Sequence, residues 1–199
     1  MIDPPIRRAE PVEGKVLAQV IADAFHPLPI TQWLVPDPVE RRQIMPNNFQ
    51  LFVDHAIEHG TVHTTDRLDA VAVWFSNAPT GVPAIPEYDE RLLTVCREYT
   101  ENFRVLDETF DRMHPIGPPH EYLALLAVAP GQQSRGVGGR LLRARLDELD
   151  RAGVPAYLEA SSPRSRRFYL RHGYVDHGRP FTTPGGPESA LWPMWRAPS

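Results

Sequence analysis

Gln133, Ser134, Arg135, Gly136, Val137, Gly138 and Gly139 stand in a row between an apolar run and a run with helical spacing. The apolar run is Leu123 to Val128, closed by Pro130 and Gly131. Past the glycines come Leu141, Leu142, Leu146 and Leu149, which line one face of a helix. The three parts read as strand, glycine loop and helix N-terminus. Such a terminus leaves backbone N–H groups unpaired and carries a partial positive charge. Glycines let a ligand approach the backbone closely, because no Cβ intervenes. The unit is an anion site suited to a pyrophosphate.

Known phosphate loops narrow the choice. A P-loop needs a Lys-Ser/Thr pair after its last glycine, and none is present here. A dinucleotide fingerprint needs a third small residue, where this chain has Leu141. It also belongs after a first strand, whereas this loop lies two-thirds of the way along the chain.

The pattern that fits is Q/R-x-x-G-x-G/A, read by Gln133, Gly136 and Gly138. It resembles the coenzyme A loop of the GCN5-related N-acetyltransferases. The context strengthens the resemblance. A short strand-like stretch, Gly153 to Glu159, follows, and then Ser161 to Tyr174, which is similar to the family's "N-x-x-A-x-x-F-Y-x-x-x-G-F" helix. The resemblance is specific over residues 120–175. It implies a single α/β domain over 1–199, with a mixed, splayed central β-sheet flanked by helices and a cofactor-binding half at about 120–175. The implied reaction is transfer of acetyl from acetyl-CoA to a small-molecule primary amine by direct attack. A non-catalytic coenzyme A-binding regulatory module and a protein or peptide N-acetyltransferase are the alternatives.

The resemblance also implies roles. Leu126 and Val128 lie on the strand that splays, and its free backbone groups hold the pantetheine arm. The N–H near Leu126 polarises the thioester carbonyl. The amides of Ser134, Arg135, Gly136, Val137, Gly138 and Gly139 cradle the pyrophosphate, with Gln133 opening the motif. Tyr169 matches the family tyrosine beside the sulfur, where a phenol can give a proton to the leaving thiolate. Position alone equally suits Phe168 and Tyr169 as core aromatics. Ser162 stands where many members have asparagine, and can hydrogen-bond the cofactor with less reach. Some protein-modifying members place a glutamate base at the position of Tyr122, and a phenol with a pKa near ~10 is a poor base. Glu121 is adjacent, but strand alternation points it to the opposite face. The base is left to a water chain, His120 or Glu159, and Glu159 is equally well read as a solvated strand end.

Composition excludes several classes. A net charge of −4 gives no case for nucleic acid or an anionic membrane. No apolar run approaches the ~20 residues of a membrane span. The start, Met1 to Pro5, lacks the regions of a signal peptide, and Cys96 is the only cysteine, so a cytoplasmic protein without an internal disulfide is expected. Cys96 reads as buried filler within a helix. A homodimer is left open.

Elsewhere a first strand is expected within 4–10. A helix over Val12 to Phe25 would bury Val16, Val20, Ile21 and Ala24. A second helix over Glu40 to His59 would have a break or its true start near Pro46. A hairpin is expected at 61–65 and 70–75, and one long helix over 88–113 capping the acceptor side. In the cofactor half the expected elements are strand 121–129, helix 138–152, strand 155–160 and helix 163–172, with final strands at 173–181 and 188–196. Proline clusters at 27–38, 79–86, 115–119 and 180–187 read as rigid loops. Trp33, Trp74, Tyr99 and Phe103 are candidates for an aromatic acceptor pocket, with Trp74, in a strand pattern, at least equally suited to core packing; Arg164, Arg166 and Arg167 suit either the 3′-phosphate of the cofactor or a solvated face. His55 and His59 are four apart on a helix, but no third metal ligand is evident.

Overall fold

A computed structural model describes residues 5–78 and 82–199; Pro4, Pro79, Thr80 and Gly81, which fall within the first expected strand and a proline cluster, lie outside it. Strands β1 (Ile6–Arg8), β2 (Thr61–Thr65), β3 (Ala70–Asn77), β4 (His120–Val128), β5 (Ala156–Ala160), β6 (Val175–Asp176) and β7 (Trp192–Arg196) form one sheet in the order β1-β2-β3-β4-β5-β7-β6. All pairs are antiparallel except β4 with β5.

Helices cover both faces. Helices α1 (Gly14–Phe25), α2 (Pro29–Leu34), α3 (Pro38–His59), α4 (Tyr88–Cys96) and α5 (Thr100–Met113) enclose a core of Leu17, Ile21, Ile44, Met45, Val53, Val71 and Val73. Helices α6 (Val137–Ala152) and α7 (Pro163–Leu170) enclose a second core with Trp74, Leu141, Leu142, Leu158, Tyr169 and Met194. Trp74 is fully buried there. Both faces of β3 and β4 are covered, so these strands are apolar without strict alternation.

Five expectations need correction. The buried stripe of α1 is Leu17, Ala18, Ile21 and Ala22, and Val16 is exposed. Pro46 neither breaks nor starts α3, which runs through it from an Asp37 cap. Losing one helical hydrogen bond costs about 3 kcal/mol. Burial of Ile44, Met45, Phe49 and Val53 along the same helix outweighs that, at about 1.5–3 kcal/mol each. The stretch 27–38 is not all loop, because Pro29 sits in the first turn of α2, where its missing N–H costs nothing. The long helix over 88–113 is two helices. Arg97 takes a positive φ of 52° between them, and a short 3-10 turn, Arg97–Tyr99, redirects the chain. Finally, 173–181 forms only the two-residue β6, with an isolated bridge from Phe181 to Leu191 beyond it.

Candidate active site

Two pairs of residues decide the shape of the site. Strands β4 and β5 are in register only at Glu121–Ala156 and Tyr122–Tyr157. Beyond Tyr122 they part, and β4 continues to Val128 paired with β3 alone. A bulge opposite Val73 and Trp74 shifts the register. Leu123, Ala124, Leu125 and Leu126 all line the cavity described below. At the far end, the N–H of Ala129 donates to Asp69 on the β3 side at 2.8 Å. Alternation then turns the N–H groups of Leu126 and Val128 toward the side that β5 has vacated. The carbonyl of Val128 on that side accepts from Gln133 Nε2 at 3.2 Å.

The loop after β4 ends on an uncapped helix. Ser134 and Gly136 have positive φ, 63° and 83°, and Gly136 is the N-cap of α6 with no side-chain cap. The first N–H groups of α6 thus keep their hydrogen-bonding capacity and partial positive charge. A Cβ on Gly138 would lie 3.5 Å from Val128 Cγ2, so the loop is packed onto the splayed strand. Arg164 Nη2 donates to Ser134 Oγ at 2.9 Å and holds the loop against α7. Arg166 is paired with Asp176, so it is committed within the protein. Arg167 is exposed. Ser162 caps α7: its Oγ accepts from the N–H of Ser165 at 3.0 Å, which accounts for the serine by the helix alone.

A cavity of about 500 Å³ opens between the vacated side of β4 and helices α3 and α5. Leu126, Glu159, Ser165 and Tyr169 line it at the sheet end. Phe25, Phe49, Phe52, Phe75, Phe103 and Phe110 supply most of its aromatic surface. Of the four aromatics proposed from the sequence, only Phe103 belongs to it. Trp74 points into the opposite core, and Tyr99 is drawn away by a hydrogen bond to Glu40. Trp33 packs at the edge of the first core, its carbonyl accepting from Asn102 Nδ2 at 3.0 Å. Of these, Tyr99 falls in the turn that begins at Arg97 and not on α5, the helix that carries Phe103. The Phe residues on α1 and α3 were missed because a core stripe and a pocket wall have the same spacing in sequence.

The titratable groups divide cleanly. Burial holds the Tyr169 and Tyr122 phenols well above the ordinary value, so both are protonated donors at neutral pH. Burial pushes the Glu159 carboxyl up to about 7, and the neighbouring Tyr122 and Tyr157 phenols draw it back only in part. Its Oε1 is buried and makes no hydrogen bond. Glu159 is therefore a cavity-facing group and not a solvated strand end. Glu121 does lie on the other face, 2.8 Å from Arg145. His120 Nδ1 is held by the Pro118 carbonyl, and its Nε2 lies 2.9 Å from His114 Nε2. It does not line the cavity. His55 Nε2 is bound to the Pro83 carbonyl at 2.7 Å, and among the described residues no three His, Cys, Asp or Glu group as metal ligands. Cys96 is buried beside Asn48, and burial pushes its thiol up to about 12, as filler requires. Among the described residues no helix is long and apolar enough to cross a membrane.

Comparison with known proteins bears on the fold. Residues 115–187 match the family model described as an acetyltransferase (GNAT) domain. A histone acetyltransferase HPA2 and related acetyltransferase from Corynebacterium glutamicum is 21% identical, with a TM-score of 0.75 over 100% of this chain and 98% of that one. A mosquito arylalkylamine N-acetyltransferase like 5b is 15% identical, with a TM-score of 0.67 over 98% of this chain and 100% of that one. The PaiA N-acetyltransferase from Thermoplasma acidophilum, solved with coenzyme A, is 10% identical, with a TM-score of 0.59 over 98% and 99%. Acetyltransferases of this family take their acetyl group from acetyl-CoA. Residues 115–187 are thus similar to the GNAT acetyltransferase domain, and the chain as a whole has the fold of those solved enzymes.

Proposed function

We propose that the protein is an acetyl-CoA-dependent N-acetyltransferase acting on a small aromatic primary amine. One observation carries this reading. A single aromatic-walled cavity contains the vacated edge of β4, a carboxyl with a raised pKa and a protonated phenol. The residues present suit the donor: a vacated strand edge for an amide-bearing arm, and an uncapped helix N-terminus behind Gly136 and Gly138 for a pyrophosphate. Bound acetyl-CoA supplies an activated acetyl group. Leu126, Val128 and the amides of 134–139 hold and orient the donor, with Gln133 bracing the strand through the Val128 carbonyl. The N–H of Leu126 offers a hydrogen bond where negative charge develops on the acyl oxygen. Glu159 receives the proton of the incoming ammonium, since a carboxyl near 7 is matched to that task at neutral pH. Tyr169 keeps its own proton until a thiolate needs it. Ser162 acts as a helix cap beneath Tyr169.

The acceptor is read from the walls. They are apolar, aromatic and closed over by α5, which favours a compact aromatic amine over a peptide lying in a groove. One of the similar folds belongs to an arylalkylamine N-acetyltransferase. Ala70–Trp74, Arg151–Arg164 and Trp192–Met194 also resemble puromycin N-acetyltransferase, an enzyme for an aminoacyl-type aromatic amine. Those segments form β3, β5 and β7, not the aromatic wall, so they argue for the reaction class more than for that substrate. Free-thiol release from acetyl-CoA with phenethylamine, puromycin and other aromatic amines tests the reading. Release only with histone-like or ribosomal peptides would favour the protein-modifying alternative. Coenzyme A binding without release for any acceptor would favour a regulatory module.

A further inference from the structure

The cavity has a charge pattern that acetylation of a simple aromatic amine does not use. Three carboxyl groups line it, Asp107, Asp111 and Glu159, and no Lys, Arg or His among the described residues does. Asp107 stands on α5 between Leu106 and Phe110, which line the same cavity. Among the described residues its hydrogen-bond partner is neutral: Tyr88 Oη donates to Asp107 Oδ2 at 2.8 Å. The Tyr88 ring is itself fixed against Phe52, at 5.9 Å between centroids. A carboxylate in such a place is costly without a cation. Burial above all, with the nearby Asp111 and Asp89, raises Asp107 to about 6, and the Tyr88 hydrogen bond offsets that only in part. Asp107 lines the cavity from α5 and Glu159 from β5. Asp111 is exposed and stands one helical turn further along α5. The second sign of a missing ligand is Glu159 Oε1, buried and without a partner in the same cavity.

The geometry points to an acceptor with two cationic nitrogens: a primary amine delivered to Glu159, and a second ammonium or guanidinium held by Asp107, with Asp111 drawing it in. This rests on the N-acetyltransferase reading above and adds the class of substrate. An aromatic spacer between the two nitrogens suits the phenylalanine walls, and a guanidinium matches the carboxylate with two parallel hydrogen bonds. Asp107 is thus a specificity-determining residue.

The test compares phenethylamine with its para-guanidino derivative, whose second charge is permanent. With the full wild-type chain, thiol release should give a kcat/KM about ten- to one-hundred-fold higher for the guanidino compound. Calorimetry without acetyl-CoA should show the same order of preference in binding. Asp107→Asn keeps a partner for Tyr88 while removing the charge, and should bring the two acceptors to within about threefold of each other. Asp111→Asn, an exposed change expected to fold, should reduce the preference less. A wild-type enzyme that acetylates both compounds equally would overturn the inference and leave the N-acetyltransferase reading standing. So would a preference that survives Asp107→Asn, or one lost with Asp111→Asn alone. No thiol release with any amine would count against the underlying reading. The wild-type comparison decides the matter even if Asp107→Asn fails to fold.

Discussion

Gln133 and Val128 are joined by a 3.2 Å hydrogen bond from side-chain amide to carbonyl, which ties the glycine loop to the splayed strand. The two halves of the proposed donor site are therefore one mechanical unit. Gly138 packs against the same valine, and the helix it opens has no side-chain cap.

Gly138→Asp should abolish most of the affinity for coenzyme A. The Cβ itself fits, at ordinary contact distance from Val128 and Phe168. The carboxylate would occupy the anion site and repel the pyrophosphate. A loss of about ten- to one-hundred-fold is expected by calorimetry, with the unfolding transition retained. Unchanged affinity would move the donor site elsewhere.

Tyr169→Phe should lower kcat by about 10²–10⁴-fold, the range for loss of a general acid. KM for acetyl-CoA should change little, because the ring and its packing on Phe168 and Tyr174 remain. Turnover at the wild-type rate would make Tyr169 a packing residue only.

Glu159→Gln should pair a loss of activity with a gain of stability. The wild-type carboxyl must be ionised to accept a proton, so kcat/KM should rise with pH through about 7. The variant should lose that limb. A raised acid pKa means the folded state binds the proton more tightly than the unfolded chain. Stability is therefore full below about 4.3, the unfolded value, and falls as pH rises to about 7. Above pH 7 the variant should be more stable by roughly 2–3 kcal/mol in denaturant unfolding. A variant equally active and no more stable would remove Glu159 from the chemistry.

Asp150→Ala should cost stability while sparing catalysis. Asp150 takes a two-pronged contact from Arg196, at 2.6 and 2.7 Å, and Arg196 also reaches the His172 carbonyl. The last strand, α6 and the end of α7 are joined there. A loss of about 1–3 kcal/mol is expected. The guanidinium holds Asp150 far below its usual range, so its contribution is present above about 3.9 and lost as pH falls below that. Urea melts of both proteins at pH 7 and pH 3 would show the gap closing in acid.

The loop from Gln133 to Gly139, the strand before it and the two helices after it were legible in the sequence, because each is specified by neighbours along the chain. The positive φ at Gly136, the leucine stripe of α6 and the Phe168–Tyr169 pair on α7 are all local features. The hairpin of β2 and β3 was legible for the same reason. The acceptor cavity was not, because its walls come from α1, α3, α5 and β4, brought together only by the sheet. Sequence spacing alone does not separate a phenylalanine facing the core from one facing a cavity. It also does not show that Arg97 turns the chain and that Tyr99, in that turn, bonds to Glu40 and not to the site. The raised pKa of Glu159 belongs to the tertiary structure as well, since burial beside Tyr122 and Tyr157 depends on where β4 and β5 part.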